Sequence, residues 1–172
     1  GMGSVVAGSS EVAGRYRAEI IAKAEADGTD IETAAIASLK EHKAQRKKVA
    51  GLGHPQHSGG DPRADRLLVI ADELGVSGKY IETLRVLGDH ATDIIERPLP
   101  INVSGAIPAC ILDAGWPLDA IKAVPLLARA AGLSAHLFEE AQRSIGFIMS
   151  HKADVAISYD GKPSARQSTA AE

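Results

Sequence analysis

The feature that most constrains this chain is a glycine-rich segment, 49–65, between two stretches of helical periodicity. It reads Val-Ala-Gly-Leu-Gly-His-Pro-Gln-His-Ser-Gly-Gly-Asp-Pro-Arg-Ala-Asp. Its glycines allow turned backbone and close approach to a ligand. Asp61 is a typical helix N-cap and Pro62 suits the first helical position, so a helix is predicted to begin there. Ordinary connections between helices are shorter.

Two interpretations of this segment stay open on its residues alone. It is either a long connection whose glycines and prolines only shape turns, or a loop that holds a ligand against its backbone. Dinucleotide and phosphate-loop motifs do not fit, because no strand precedes the segment and no Gly-Lys-Ser/Thr follows it. His54 and Arg63 are its side chains best suited to an anionic, carbonyl-bearing ligand.

The chain around this segment repeats apolar residues at helical spacing, so the predicted fold class is all-α. Ser9 or Ser10 is expected to cap the first helix. The predicted helices run from Glu11 to Gly28, from Thr29 into the basic stretch 40–48, from Pro62 to Gly75, from Tyr80 to Pro98, and from Gly105 to Ala114. The last of these is small and apolar and is expected to be buried.

The C-terminal part is predicted to contain two further helices. Pro125 is expected to bend the first, which covers 118–131 and ends at Gly132. The second begins at Leu133 or Ser134 and reaches about Arg143. The apolar runs 145–149 and 155–159 are expected to pack as extended segments. The polar composition that follows predicts a disordered tail over 159–172.

Composition excludes several classes of protein. The net charge of −3 over 172 residues, with no basic run interleaved with aromatic residues, argues against a nucleic-acid surface. The single Cys110 allows no disulfide within the chain and favours a reducing compartment. No apolar stretch reaches the roughly 18 residues of a membrane span, and no signal peptide is visible. The cytoplasm is therefore the expected location.

The pattern Gly-Leu-Gly-His-Pro-x-His…Asp-Pro-Arg-Ala resembles the signature of the citrate synthase and citryl-CoA lyase superfamily. The resemblance runs from about Val5 to Gly161 and matches the C-terminal part of longer family members. It implies a citrate-synthase-like helical fold with a small lobe over 5–103 and returning large-lobe helices over 104–158. It also implies a ligand cleft between the lobes and a homodimer.

The resemblance assigns substrate-binding roles to four residues. The histidine that matches His54 polarises a ketone carbonyl, and the arginine that matches Arg63 binds a substrate carboxylate. Arg129 resembles an arginine that completes the carboxylate site, and Arg143 one that reaches the ligand or the neighbouring subunit. On residue pattern alone, Arg63 could equally form a surface ion pair. Arg129, on a helix face expected to be largely buried, could equally be structural.

Coenzyme A, as acyl-CoA substrate or product, is the cofactor that the resemblance implies, and no metal is expected. The backbone of Val49, Ala50, Gly51, Leu52 and Gly53 would contact its adenine. Lys48, Arg46 and His57 are weaker candidates for its phosphates.

Two chemical groups of the family are replaced here. The catalytic base is a carboxylate in an Asn-Val-Asp-Gly-like stretch, whereas this chain has Asn102-Val103-Ser104-Gly105. A serine hydroxyl is not anionic near neutral pH, so Ser104 occupies the catalytic position without being able to act as that base. Val6 stands where the synthases carry an early histidine.

Three functions therefore stay open. The first is a citryl-CoA lyase or citrate-synthase-like acyltransferase that acts on a CoA thioester and an oxo-acid such as oxaloacetate. The second is a binding or regulatory module for a CoA ester or carboxylate on the same scaffold. The third is a structural helical oligomerisation protein.

Overall fold

Several helices begin or end where local backbone chemistry predicts. Gly28 adopts a left-handed conformation (φ 64°) and ends the first helix. The side chain of Asp30 accepts a hydrogen bond from the N–H of Thr33 (2.6 Å) at the start of the second. Asp61 is the N-cap of the third helix, with Pro62 as its first residue, as predicted.

A computed structural model describes residues 8–54, 59–158 and 161. Within these ranges the only β-type pairing is an isolated antiparallel bridge between Leu52 and Ile101, and the all-α prediction is confirmed. A short 3₁₀ turn covers Leu118–Ala120. The helices are α1 (Ser9–Asp27), α2 (Ile31–Ala44), α3 (Pro62–Glu73), α4 (Lys79–Ile95), α5 (Val103–Asp113), α6 (Ala123–Gln142) and α7 (Gly146–Ala156).

The first helix starts two residues before the predicted Glu11. Gly8 is its N-cap, and no side chain caps it. The prediction that Ser9 or Ser10 caps the helix is wrong, because both residues lie within its first turn. The hydroxyl of Ser9 donates instead to the Oγ of Ser104 (3.1 Å). This bond joins the first turn of α1 to the first turn of α5.

The core of the first five helices forms around α4 and α5. Ile81, Leu84 and Leu87 of α4 are fully buried, and α4 packs against α1, α2 and α5. Helix α5 also packs against α1 and α3, as expected for a small, buried helix. The carboxylate of Asp113, at the end of α5, accepts hydrogen bonds from three N–H groups at the start of α4, those of Gly78, Tyr80 and Ile81 (2.8–3.0 Å). These bonds fix the start of α4 to the end of α5.

The chain divides into two compact units between Ala128 and Arg129, inside α6. The predicted helix end at Gly132 is wrong, because α6 continues through this glycine to Gln142. Pro125 lies in the first turn of α6. Backbone N–H groups there have no intrahelical acceptor, so the proline removes no hydrogen bond from the helix. Residues 146–156 are helical rather than extended. The proposed lobe boundary near residue 104 stays a prediction.

The second unit exposes many apolar side chains. Neither α6 nor α7 contains a buried residue, and Phe138 and Phe147 are 66% and 89% exposed. The carboxylate of Glu140 accepts hydrogen bonds from the N–H groups of Ile145 and Gly146 (both 3.0 Å), which fixes the start of α7 to α6. No helix in the described part of the chain is both long and apolar enough to cross a membrane.

Because α6 continues through Gly132, the direction in which a substitution there changes stability can be predicted. Gly132→Ala should raise the stability of α6 by about 0.5–1 kcal/mol, because alanine is favoured over glycine inside a helix. Nothing lies within 4 Å of the added Cβ. Gly28→Ala is the matched control and should lower stability by about 1 kcal/mol, since Gly28 is left-handed. Circular dichroism during denaturation measures both. A loss in Gly132→Ala would show that the helix ends there.

Candidate active site

Two distant backbone segments, 51–53 and 100–105, are held together by hydrogen bonds. We call this pair of segments the glycine clasp. The N–H of Gly53 donates to the carbonyl of Pro100 (2.7 Å), and the N–H of Asn102 donates to the carbonyl of Gly51 (3.1 Å). The side-chain amide of Asn102 donates to the carbonyl of Gly53 (2.6 Å). The clasp therefore fixes the start of the glycine-rich segment beside the start of α5.

Glycine is required on both sides of the clasp. Gly51 has a φ of 89°, and a Cβ there would lie 2.8 Å from the Cα of Gly105. A Cβ on Gly105 would overlap the carbonyl oxygen of Gly51. Two backbones in direct contact leave no room for a side chain between them. This close approach explains the glycine at each position.

Ser104 lies in the first turn of α5, which Asn102 caps. The Oδ1 of Asn102 accepts a hydrogen bond from the N–H of Gly105 (3.1 Å). The hydroxyl of Ser104 accepts its hydrogen bond from Ser9. Pro108, inside α5, has no N–H to donate to the carbonyl of Ser104 four residues earlier. The position that the resemblance assigns to the base therefore holds a neutral hydroxyl paired with another hydroxyl.

His54 follows the clasp directly and is half-buried. Its position is set by Gly53, whose N–H and carbonyl are both bonded within the clasp. The clasp thus brings the chain segment that carries His54 close to the one that carries Ser104. Val6 and His57 lie outside the described residues.

Arg63 pairs with Asp61. The guanidinium Nε and Nη2 donate to the two oxygens of Asp61, each at 2.9 Å. Asp61 is buried and also accepts from the backbone N–H of Val103 (2.8 Å). Hydrogen bonds from the Arg63 guanidinium hold the pKa of Asp61 well below its usual range, and the N–H groups of Val103 and Arg63 act in the same direction. The ion pair therefore connects the start of α3 to the clasp.

Arg129 and Arg143 both belong to the second unit. Arg129 lies on α6 and is exposed, so the prediction that it lies on a largely buried face is wrong within this chain. The physical reason is that α6 has no buried face. Arg143 follows the end of α6 and is also exposed. Their predicted roles stay predictions.

The predicted adenine-binding residues form a partly buried backbone segment. Val49, Gly51 and Leu52 are buried, whereas Ala50 and Gly53 are half-buried. A cavity of about 570 Å³ adjoins this segment in the groove between α1 and α2, and Lys47, Lys48 and Ala50 contribute to its walls. Among residues 8–54, 59–158 and 161, no group of three or more His, Cys, Asp or Glu side chains could hold a metal ion.

Arg17 was not among the predicted site residues. This arginine is fully buried in α1, and its Nη2 donates to the carbonyl of Gly105 (2.6 Å). The sequence did carry a signal, because Arg17 lies midway between Ala13 and Ile21 on the helix face that both bury. An arginine on an otherwise apolar face is a reason to expect a buried acceptor.

Comparison with known proteins decides the family. A family profile described as "Citrate synthase, C-terminal domain" matches residues 2–148. The chain belongs to the citrate synthase family. This confirms the resemblance read from the glycine-rich segment.

A solved structure shows how much of a citrate-synthase-like fold the chain represents. Citryl-CoA lyase from Hydrogenobacter thermophilus matches with 26% sequence identity and a TM-score of 0.72. The match covers 94% of this chain and 60% of the lyase chain, so this chain spans less than two thirds of that protein. A search of curated proteins found no match.

The Asp61 pair predicts how stability depends on pH. The native pKa of Asp61 is below the unfolded value of about 3.9, so the carboxylate stabilises the fold above that pH and this contribution is lost as the pH falls below about 4. Asp61→Asn should cost about 1–2 kcal/mol at pH 7, a modest value because Arg63 is half-exposed. Its stability should also fall less than that of wild type between pH 5 and 3. Urea denaturation across this range measures both effects.

Asp65→Asn, on the exposed side of the same helix, is the control and should keep the wild-type pH profile. A profile for Asp61→Asn as steep as that of wild type would show that other carboxylates cause the acid sensitivity.

Proposed function

We propose that this chain binds a CoA thioester and a di- or tricarboxylate, and acts in the cleavage or Claisen-type formation of a carbon–carbon bond, as a citryl-CoA lyase or citrate-synthase-like protein. The observation that carries this proposal is the glycine clasp. It joins the segment that carries His54 to the turn that carries Ser104. These two positions match catalytic residues of the family. The citryl-CoA lyase likeness supports a CoA thioester as substrate class.

The CoA moiety is assigned to the segment Val49–Gly53. This segment adjoins the cavity between α1 and α2, and its half-buried Ala50 contributes to the cavity wall. Lys47 and Lys48 are exposed at that cavity, and ammonium groups are suited to the phosphates of CoA. Backbone recognition of a planar base and cationic recognition of phosphates would then occur within a few residues of chain.

Arg63 is the residue of the first unit that we propose binds a substrate carboxylate. A guanidinium has five N–H donors, and the pair with Asp61 uses two side-chain nitrogens. The side chain is 54% exposed, so its remaining donors can meet a ligand. Asp61 would then orient the guanidinium for the ligand. The proposed carboxylate-binding roles of Arg129 and Arg143 rest on the family resemblance alone.

His54 is proposed to donate a hydrogen bond to the carbonyl or alkoxide oxygen of the oxo-acid part. In cleavage, the substrate hydroxyl releases its proton to solvent, the electrons of the resulting alkoxide form the ketone, the carbon–carbon bond breaks, and its electron pair passes to the α-carbon of the thioester as an enolate. That enolate then takes a proton. Ser104 can donate a hydrogen bond there but is too weak an acid or base to carry the proton at neutral pH.

Asp61 is unsuited to replace the missing carboxylate. Its oxygens are bonded to Arg63 and to the N–H of Val103, one residue before Ser104. These bonds lower its pKa, and a carboxylate with a lowered pKa is a weaker base. This observation favours a second candidate function, a module that binds the CoA ester or carboxylate without turnover.

A homodimer in the cytoplasm is part of the proposal. The exposed apolar side chains of α6 and α7, including Phe138 and Phe147, support an interface in the second unit. A purely structural oligomerisation protein would use the same surface.

The proposal predicts ligand binding that depends on Arg63. Oxaloacetate, citrate, CoA and acetyl-CoA are titrated singly and in pairs while the melting temperature is followed. A ligand at 100 times its Kd stabilises by about 2.7 kcal/mol. At roughly 2–4 °C per kcal/mol, that is an increase of about 5–10 °C. Arg63→Ala should abolish the increase with citrate or oxaloacetate and keep the increase with CoA.

Arg66→Ala is the matched control, because Arg66 is exposed on the same helix and pairs with Glu73. It should behave like wild type. If no ligand changes the melting temperature of wild type, the chain has no such site by itself and the structural function is favoured. If Arg63→Ala also loses the CoA response, Arg63 supports the fold of the site rather than one ligand.

The chemistry predicts a gain of activity in Ser104→Asp. A positioned carboxylate contributes about 10²–10⁴ to proton transfer, so oxaloacetate release from citryl-CoA should accelerate by at least about 10². A carboxylate is also favourable in the first turn of α5, so the variant should fold. Ser104→Asn is the isosteric control without basicity. Equal rates in all three proteins, with ligand binding intact, would favour the non-catalytic module.

A further inference from the structure

The most unusual group in the first unit is the guanidinium of Arg17. The side chain is fully buried, and its one hydrogen bond among the described residues runs from Nη2 to the carbonyl of Gly105. Its Nε and Nη1 have no hydrogen-bond partner within the described part of the chain. Buried donors are nearly always paired, so this arrangement needs an explanation.

Stability does not explain the charge of Arg17. Burial lowers the pKa of Arg17 to about 10, so the group still carries its proton at neutral pH. A buried charge with unpaired donors costs free energy, and an apolar side chain of similar length would fill the same space at lower cost. Packing alone would therefore favour a residue such as methionine.

The position of the guanidinium connects it to the clasp. Its Nη1 lies 3.1 Å from the place where a Cβ of Gly51 would be. Its Nη2 bonds to Gly105, the residue after Ser104. Arg17 therefore bonds to one segment of the clasp and lies beside the other, where Gly51 and Gly105 approach each other most closely.

We propose that Arg17 is a positioning residue, which acts through Gly51 and Gly105 to fix the distance between the CoA-binding segment Val49–Gly53 and the turn that carries Ser104. The bond to the Gly105 carbonyl holds the first turn of α5, and the guanidinium fills the space beside Gly51. The ligand part of this inference rests on the proposed function. The structural part does not, because it concerns the clasp itself.

The test compares Arg17→Met, which keeps the length and removes the charge and donors, with Arg17→Lys, which keeps the charge and a donor. Hydrogen exchange of the Gly53 and Asn102 amides reports on the clasp, because both amides donate within it. Exchange of the Leu84 and Leu87 amides in the core of α4 reports on global stability. Arg66→Met is the control, because Arg66 is an exposed arginine that lies outside the clasp and does not line the proposed CoA cavity.

Arg17→Met should accelerate exchange of the clasp amides by roughly tenfold or more, as expected for local opening, and leave the α4 amides unchanged. Arg17→Lys should restore much of the protection. CoA affinity, measured by calorimetry well below the melting temperature, should fall in Arg17→Met and recover in Arg17→Lys. Arg66→Met should match wild type in all these measurements.

Unchanged clasp exchange in Arg17→Met would overturn the inference, and so would equal acceleration of the α4 amides, which indicates a merely structural role. Faster clasp exchange with unchanged CoA affinity would overturn the ligand part. If wild type does not bind CoA, the proposed function fails, while the exchange rates still decide whether Arg17 fixes the clasp.

Discussion

The contact between Gly51 and Gly105 is the constraint on which the first unit depends. It allows two backbone segments about fifty residues apart in sequence to exchange hydrogen bonds of 2.6–3.1 Å. The side chain of Asn102 takes part twice, as the cap of α5 and as a donor to Gly53, and its backbone N–H donates to Gly51. The Asp61–Arg63 pair then adds the start of α3 through the N–H of Val103. A site assembled from backbone segments in this way depends on its glycines, because a side chain at either position would keep the two segments apart.

Local features of the fold were predictable because their causes are local. A left-handed glycine ends α1 at Gly28, and a carboxylate accepting a nearby N–H begins α2 and α3. The glycine-rich segment was recognisable for a similar reason, since close backbone approach requires glycine. The motif in this segment resembles the signature of a family, and the family profile confirms that the chain belongs to it.

Other features depend on contacts that a linear pattern does not show. Gly132 is compatible with a helix end or a helix interior, because a glycine costs only about 1 kcal/mol inside a helix of alanine and leucine. The run after Ile145 lacks a clear period and was predicted to be extended, but it is helical, and the N–H groups at its start donate to Glu140. The bond between Arg17 and Gly105 spans 88 positions. Only the apolar neighbours of Arg17 on α1 hinted at it.

The same interactions that hold the site together limit its chemistry. Asp61 is the buried carboxylate beside the turn of Ser104, and its bonds to Arg63 and Val103 stabilise the anion. A group whose charged form is stabilised in this way is a good anchor and a poor proton acceptor. Ser104, bonded to Ser9, has no basicity to add. Under the proposed function, binding and catalysis would therefore depend on different residues, and position 104 is where a single carboxylate would join them.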